Sequence, residues 1–161
     1  MYIMSFSQYP DNKINVSGTS LGDTINERIR QTNQYRTKIS RLASAARSAE
    51  NKTITQTVDF YFDPFVAEEM DLGLSFRRIS MDVTVQYEED IGFLASPGNN
   101  IVGTAIVTYE FTDRYDFENE EGTDIVTIIN NLLGYYPQQA GITTAYDITV
   151  GGTFQETVII E

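Results

Sequence analysis

Ile79-Ser80-Met81-Asp82-Val83-Thr84-Val85-Gln86-Tyr87 alternates apolar and polar side chains without a break. A period of two puts Ile79, Met81, Val83, Val85 and Tyr87 on one face of a strand. One side of this ribbon is therefore buried. Glu88-Glu89-Asp90 closes it, and Ser96-Pro97-Gly98-Asn99-Asn100 reads as a loop. Upstream, residues 53–62 alternate in the same way and are rich in β-branched and aromatic residues, a strand ending at Asp63-Pro64. Downstream, residues 101–112 form a third strand, with a bulge expected at Gly103. Two further strands, 143–150 and 153–160, flank Gly151-Gly152, which reads as a two-residue hairpin turn.

One helix interrupts this series. Thr123 caps residues 124–133, Gly134 ends them and Pro137 follows. Ile125, Val126, Ile128, Ile129, Leu132 and Leu133 make the segment apolar around most of its girth, so it is expected to pack on the sheet. Before the strands, residues 5–19 are a polar, extended lead-in. Residues 21–49 then carry Leu21, Ile25, Ile29, Tyr35, Ile39, Leu42, Ala45 and Ala46 at three- and four-residue steps without a proline. That is the period of one long helix, its thin apolar stripe interrupted by Arg28 and Thr32. It suits a helix packed on its own domain or a short coiled-coil seam. The expected fold is α+β: an antiparallel sheet or sandwich of about five to seven strands with one inserted helix, preceded by a long N-terminal helix.

The 161 residues suffice for one domain with an arm, divided as a basic segment 1–52 and an acidic β-rich domain 53–161. Eight basic and four acidic side chains give the first segment a charge of +4; three arginines against nineteen acids give the second −16. A basic segment is drawn to an acidic body, its own or a neighbouring copy's. The net −12 argues against nucleic acid as a general partner. With no cysteine and no histidine, disulfides, thiolate zinc sites, cysteine nucleophiles and Ser-His-Asp triads are excluded. The start, Met1-Tyr2-Ile3-Met4-Ser5-Phe6, does not read as a secretory signal peptide, and no apolar run is long enough for a membrane-spanning helix. A cytoplasmic location or export by a non-classical route is expected.

The acids are densest in Asp113-Arg114-Tyr115-Asp116-Phe117-Glu118-Asn119-Glu120-Glu121-Gly122-Thr123-Asp124. Counted from Asp116 as an EF-hand loop, the sixth position is Glu121 and the twelfth Thr127, where that loop needs Gly and Glu. A less regular divalent-cation site at Asp116, Glu118 and Glu120 is the alternative to a solvated, helix-capping loop. No other cofactor is expected. Asp59 and Asp63 flank an aromatic strand end as a further carboxylate pair, without a geometry that sequence can supply. Alternate aromatics such as Phe60/Phe62 and Tyr109/Phe111 read as core packing.

The strand Val102 to Thr112, the turn Asp113-Arg114-Tyr115-Asp116-Phe117, the helix ending at Leu133-Gly134 and the later Tyr146-Asp147-Ile148 resemble the toxic domain of colicin M-type bacteriocins and related polymorphic-toxin C-termini. The resemblance spans about residues 102–161. It implies a toxin-like domain that cleaves the lipid-linked peptidoglycan precursor between lipid and pyrophosphate, with Asp113, Tyr115 and Asp116 as catalytic positions. The family's His-Arg pair is missing, since this stretch continues Glu118-Asn119-Glu120-Glu121-Gly122. The other expectation is a non-enzymatic structural or assembly protein, with a protein partner or its own copies bound through the N-terminal helix and β-edges.

Overall fold

The computed structural model describes residues 13–63, 65–67, 69–76, 78–93, 100–115 and 146–160. The chain is of the α+β class, and among the described residues one mixed sheet of five strands is lined on one face by helices. β1 (Lys13–Asn15) is followed by α1 (Ser20–Gln31), α2 (Asn33–Ser48), β2 (Thr53–Tyr61), α3 (Met70–Ser75), β3 (Arg78–Phe93), β4 (Ile101–Tyr115) and β5 (Tyr146–Ile160). The strand order is β1-β5-β4-β3-β2. β2 to β5 pair antiparallel, and β1 lies parallel to β5 with Ile14 opposite Ile148. The described strands make a single sheet rather than a sandwich, and its antiparallel pattern is broken at the β1 edge.

The expected long helix is two shorter ones. Thr32, buried, ends α1 and starts α2. Its backbone N–H reaches the Ile29 carbonyl, its hydroxyl donates to that same oxygen at 2.7 Å, and the hydroxyl accepts from the Tyr35 N–H at 3.3 Å. One side chain thus closes one helix and caps the next. The stripe read from sequence survives the break, because Ile25 and Ile29 of α1 and Tyr35, Ile39, Leu42 and Ala46 of α2 are all buried. α1 begins at Thr19, which accepts from the Gly22 N–H, and a side chain at Gly22 would collide with the Val16 carbonyl 2.1 Å away.

The period-two reading holds for β3 and β4. Ile79, Met81, Val83, Val85 and Tyr87 face the helices, opposite Ala105, Val107, Tyr109 and Phe111. Tyr35 lies at the centre of this core, 6.2 Å from Phe60 and 6.0 Å edge-on to Tyr109. Three details depart from expectation. β3 does not stop at the acids but runs on to Phe93 through two register shifts, after Tyr87 and after Asp90, so the irregularity expected at Gly103 lies on the strand opposite it. Gly151-Gly152 makes no turn; it lies inside the unbroken β5, paired with Glu110 and Tyr109. Both glycines serve close packing: a Cβ at Gly151 would press the Tyr109 carbonyl at 2.9 Å, and one at Gly152 would enter the Phe154 ring at 2.5 Å. The helix expected at 124–133 lies outside the described residues. Helices α1 and α2, Val16 and the described strands β2 to β5 contribute to the same hydrophobic core.

Asn26 and Arg30 tie α1 to the sheet. The buried Asn26 accepts from the Tyr109 hydroxyl at 2.9 Å and donates to the Gly151 carbonyl at 3.2 Å. Arg30 lies 4.4 Å above the Phe154 ring and pairs at 2.5 Å with Glu156, which also accepts from the Tyr35 hydroxyl. Burial beside Glu156 pushes the Tyr35 phenol well above its ordinary pKa, so it remains a neutral donor.

Candidate functional site

Helices cover one face of the sheet; the other face is polar, and among the described residues no element packs on it. In a strand the residues between the core positions point away from the core. Strand register aligns them into rows. Thr55, Thr84, Thr108 and Thr153 form one row across β2, β3, β4 and β5. The Thr55–Thr84 hydroxyls meet at 2.9 Å and the Thr108–Thr153 hydroxyls at 3.0 Å. The next row is Thr57, Asp82, Glu110 and Gly151. Thr57 donates to Asp82 at 2.6 Å. A third pair, Thr112 and Thr149, joins at 2.9 Å.

Asp82 and Glu110 stand directly opposite each other, both exposed, and among the described residues neither makes an ion pair. Like charges in cross-strand register cost stability. Beside them the missing side chain of Gly151 leaves a shallow depression of ≈ 520 Å³, bounded also by Thr84, Thr108 and Thr153. The surface thus offers hydroxyls and two unneutralised carboxylates, a chemistry that suits a cationic, hydrogen-bonding partner surface.

The opposite outer surface carries the reverse charge. α2 holds Arg36, Lys38, Arg41 and Arg47 and no acid. Lys38 reaches the Asp59 carbonyl and lies 4.9 Å from the Phe60 ring. Arg47 grips Asp90 with two hydrogen bonds of 3.0 and 2.8 Å. Arg36 and Arg41 are exposed and make no ion pair among the described residues.

The Arg47 contact closes a second polar cluster. Tyr87 donates to Asp90 at 2.5 Å, and hydrogen bonds from Arg47 and Tyr87 hold the Asp90 carboxyl down to about 2. Burial, with Asp90 alongside, pushes the Tyr87 phenol up to about 12. A Cβ at Gly103 would lie 2.1 Å from the Tyr87 hydroxyl, so this glycine makes room for the ring. Lys52, in the left-handed region at φ 51°, lines the same cavity of ≈ 380 Å³. Both carboxylate oxygens of Asp90 are engaged by Arg47 and Tyr87, so the triad works as a clasp between α2 and the bulged part of β3.

Of the positions expected to be catalytic, Asp113 is half-buried in β4 opposite Ile148. Burial raises its carboxyl to about 7; the backbone hydrogen bond at Arg114 opposes the shift and the Asp147 carboxylate adds to it. Tyr115 ends β4 opposite Tyr146. Asp116, Glu118 and Glu120 lie outside the described residues. Among the described residues no group of three or more acids could hold a metal ion, and no helix is long and apolar enough to cross a membrane. Asp59 and Asp63, paired in the sequence reading, are engaged separately. Asp59 accepts from Ser80 and Arg78, whereas Asp63 receives the Phe65 N–H at 2.9 Å.

The sequence reading marked the Ile79–Tyr87 alternation but not Asp82 and Glu110 as a pair. Their adjacency depends on the register between β3 and β4, which no local pattern contains. Comparison with protein families, with curated proteins and with solved structures finds no match for this chain.

Proposed function

We propose that this chain is a structural or assembly protein whose copies bind one another through the outer surfaces of its two layers. The charge split between those layers carries the reading. Among the described residues, Asp82 and Glu110 on the sheet face and Arg36 and Arg41 on an acid-free helix make no ion pair. A body negative on one side and positive on the other complements itself head to tail, and such contacts propagate unless they close into a ring. The electrostatic part is screened by salt and governs orientation and association rate more than affinity. Charge reversal tests it. Asp82→Lys with Glu110→Lys, and separately Arg36→Glu with Arg41→Glu, should each weaken self-association in light scattering. An equimolar mixture should restore it. Equal scattering by all four samples would remove the reading.

A second reading, a bacteriocin-type toxin domain, is favoured by Asp113. A half-buried carboxyl raised to about 7 is poised to exchange a proton near neutral pH. On this reading Asp113, Tyr115 and Asp116 act on the lipid-linked peptidoglycan precursor. Cells expressing the chain in the periplasm should stop growing and recover with Asp113→Asn. Unchanged growth with the unaltered chain in both periplasm and cytoplasm would set it aside.

A further inference from the structure

We infer that β2 is a self-complementary edge through which two copies pair about a twofold axis at Gln56, joining two five-stranded sheets into one of ten strands. Among the described residues β2 is the last strand of the sheet, paired on one side only. Backbone groups of a strand point alternately to its two sides. The Lys52 carbonyl accepts from the Tyr87 N–H, so even-numbered residues face β3 and odd-numbered ones face outward. The outward groups at the far end are already engaged. Gln34 brackets the Tyr61 N–H and carbonyl with its side-chain amide, at 3.1 and 2.6 Å, and Lys38 takes the Asp59 carbonyl. At the near end the Thr53 N–H donates to Asn51 at 3.1 Å. Between these caps Thr55 and Thr57 are exposed, and among the described residues their outward backbone groups have no partner.

Edges left in this state recruit another strand. Several devices that natural edges use against pairing are missing here. Residues 53–58, Thr-Ile-Thr-Gln-Thr-Val, contain no charge and no proline. All nine residues of β2 pair with β3 without a bulge. In a chain of net charge −12, this is a neutral stretch on which two copies can meet without repulsion.

The occupant follows from the sequence around Gln56, which is nearly palindromic. With an antiparallel second copy centred there, Thr55 lies opposite the partner's Thr57 and Thr57 opposite the partner's Thr55. Each of these couples exchanges both backbone hydrogen bonds. The open groups of Thr55 and Thr57 are all used, and the capped Asp59 carbonyl and the two capped groups of Tyr61 are left alone. Ile54, half-buried on the helix-facing side, meets the partner's Val58, which extends the apolar row of one core into the other. On the open face the row Thr55, Thr84, Thr108 and Thr153 continues into its symmetry mate. Such isologous pairing is the commonest form of dimer.

This pairing rests on the reading that copies associate, and one set of experiments separates the two. In a centred pair the Gln56 residues form a non-hydrogen-bonded couple with Cα atoms about 4.5 Å apart, within disulfide range. The chain has no cysteine of its own, so Gln56→Cys is a clean probe. Mild oxidation should give a covalent dimer at least tenfold faster than Glu27→Cys, placed on the exposed side of α1. Thr57→Pro deletes an outward N–H without touching the β2–β3 ladder, and should shift sedimentation from dimer toward monomer. Gln56→Lys, which sets two ammonium groups together at the axis, should do the same if the proline variant does not fold. Equal cross-linking of the two cysteine variants, with association unchanged in Thr57→Pro and Gln56→Lys, overturns the edge pairing and leaves assembly through the faces standing. A monomer at every concentration for the unaltered chain overturns both.

Discussion

Asn26 is a polar residue in an apolar interface, and its amide is matched on both sides by the Tyr109 hydroxyl and the Gly151 carbonyl. A buried polar group without its partner costs more than a formed hydrogen bond contributes. Asn26→Ala strands both partners and should lower the unfolding free energy by about 2–3 kcal/mol in urea titration. Asp113 acts in the opposite sense. Its folded-state pKa of about 7 lies above that of an unfolded aspartate near ~3.9. Between those values the folded chain holds a proton that the unfolded chain has lost, so stability falls as pH rises from about 4 to 7. Asp113→Asn should flatten this slope and raise stability at pH 8 by about 1–2 kcal/mol, part of the shift being discounted for solvent screening. Denaturant midpoints of both proteins across that pH range measure it. The Asp90 carboxyl, held down to about 2, has the reverse sign: its contribution is present above about pH 4 and is lost as pH falls toward 2.

The elements differ in how much of them the sequence disclosed. β3 and β4 were legible because burial on one face leaves a period of two that needs only neighbouring residues to read. The helix break at Thr32 was not. Threonine is tolerated inside helices, and only the hydroxyl's bonds to Ile29 and Tyr35 show it acting as a cap. Thr32→Ala should therefore cost about 1–2 kcal/mol in thermal or urea unfolding rather than fuse α1 and α2 into a stronger single helix. Gly151-Gly152 misled for a related reason. A glycine pair marks a turn when chain reversal needs it, but here it removes side chains that would strike the Tyr109 carbonyl and the Phe154 ring. The Asp82–Glu110 couple and the Thr55–Thr153 row were illegible at this scale, since both arise only when separate strands are set in register.

At the scale of the whole molecule, the charge asymmetry seen along the chain becomes an asymmetry across it. The basic, acid-free α2 packs through Tyr35, Ile39, Leu42 and Ala46, which leaves Arg36 and Arg41 on the outside. The sheet turns its apolar rows to those helices and Asp82, Glu110, Thr55, Thr57 and Thr108 to solvent. Among the described residues, both outer surfaces therefore carry charge that no ion pair neutralises, and β2 adds a short neutral edge between them. Self-association follows from this arrangement, and sedimentation equilibrium of the full chain tests it most directly. We predict a mass that rises with concentration above the 18.2 kDa of one chain, and that falls back when salt shortens the Debye length from about 10 Å to about 3 Å. A mass of 18.2 kDa at every concentration, in low salt and in high, would contradict it.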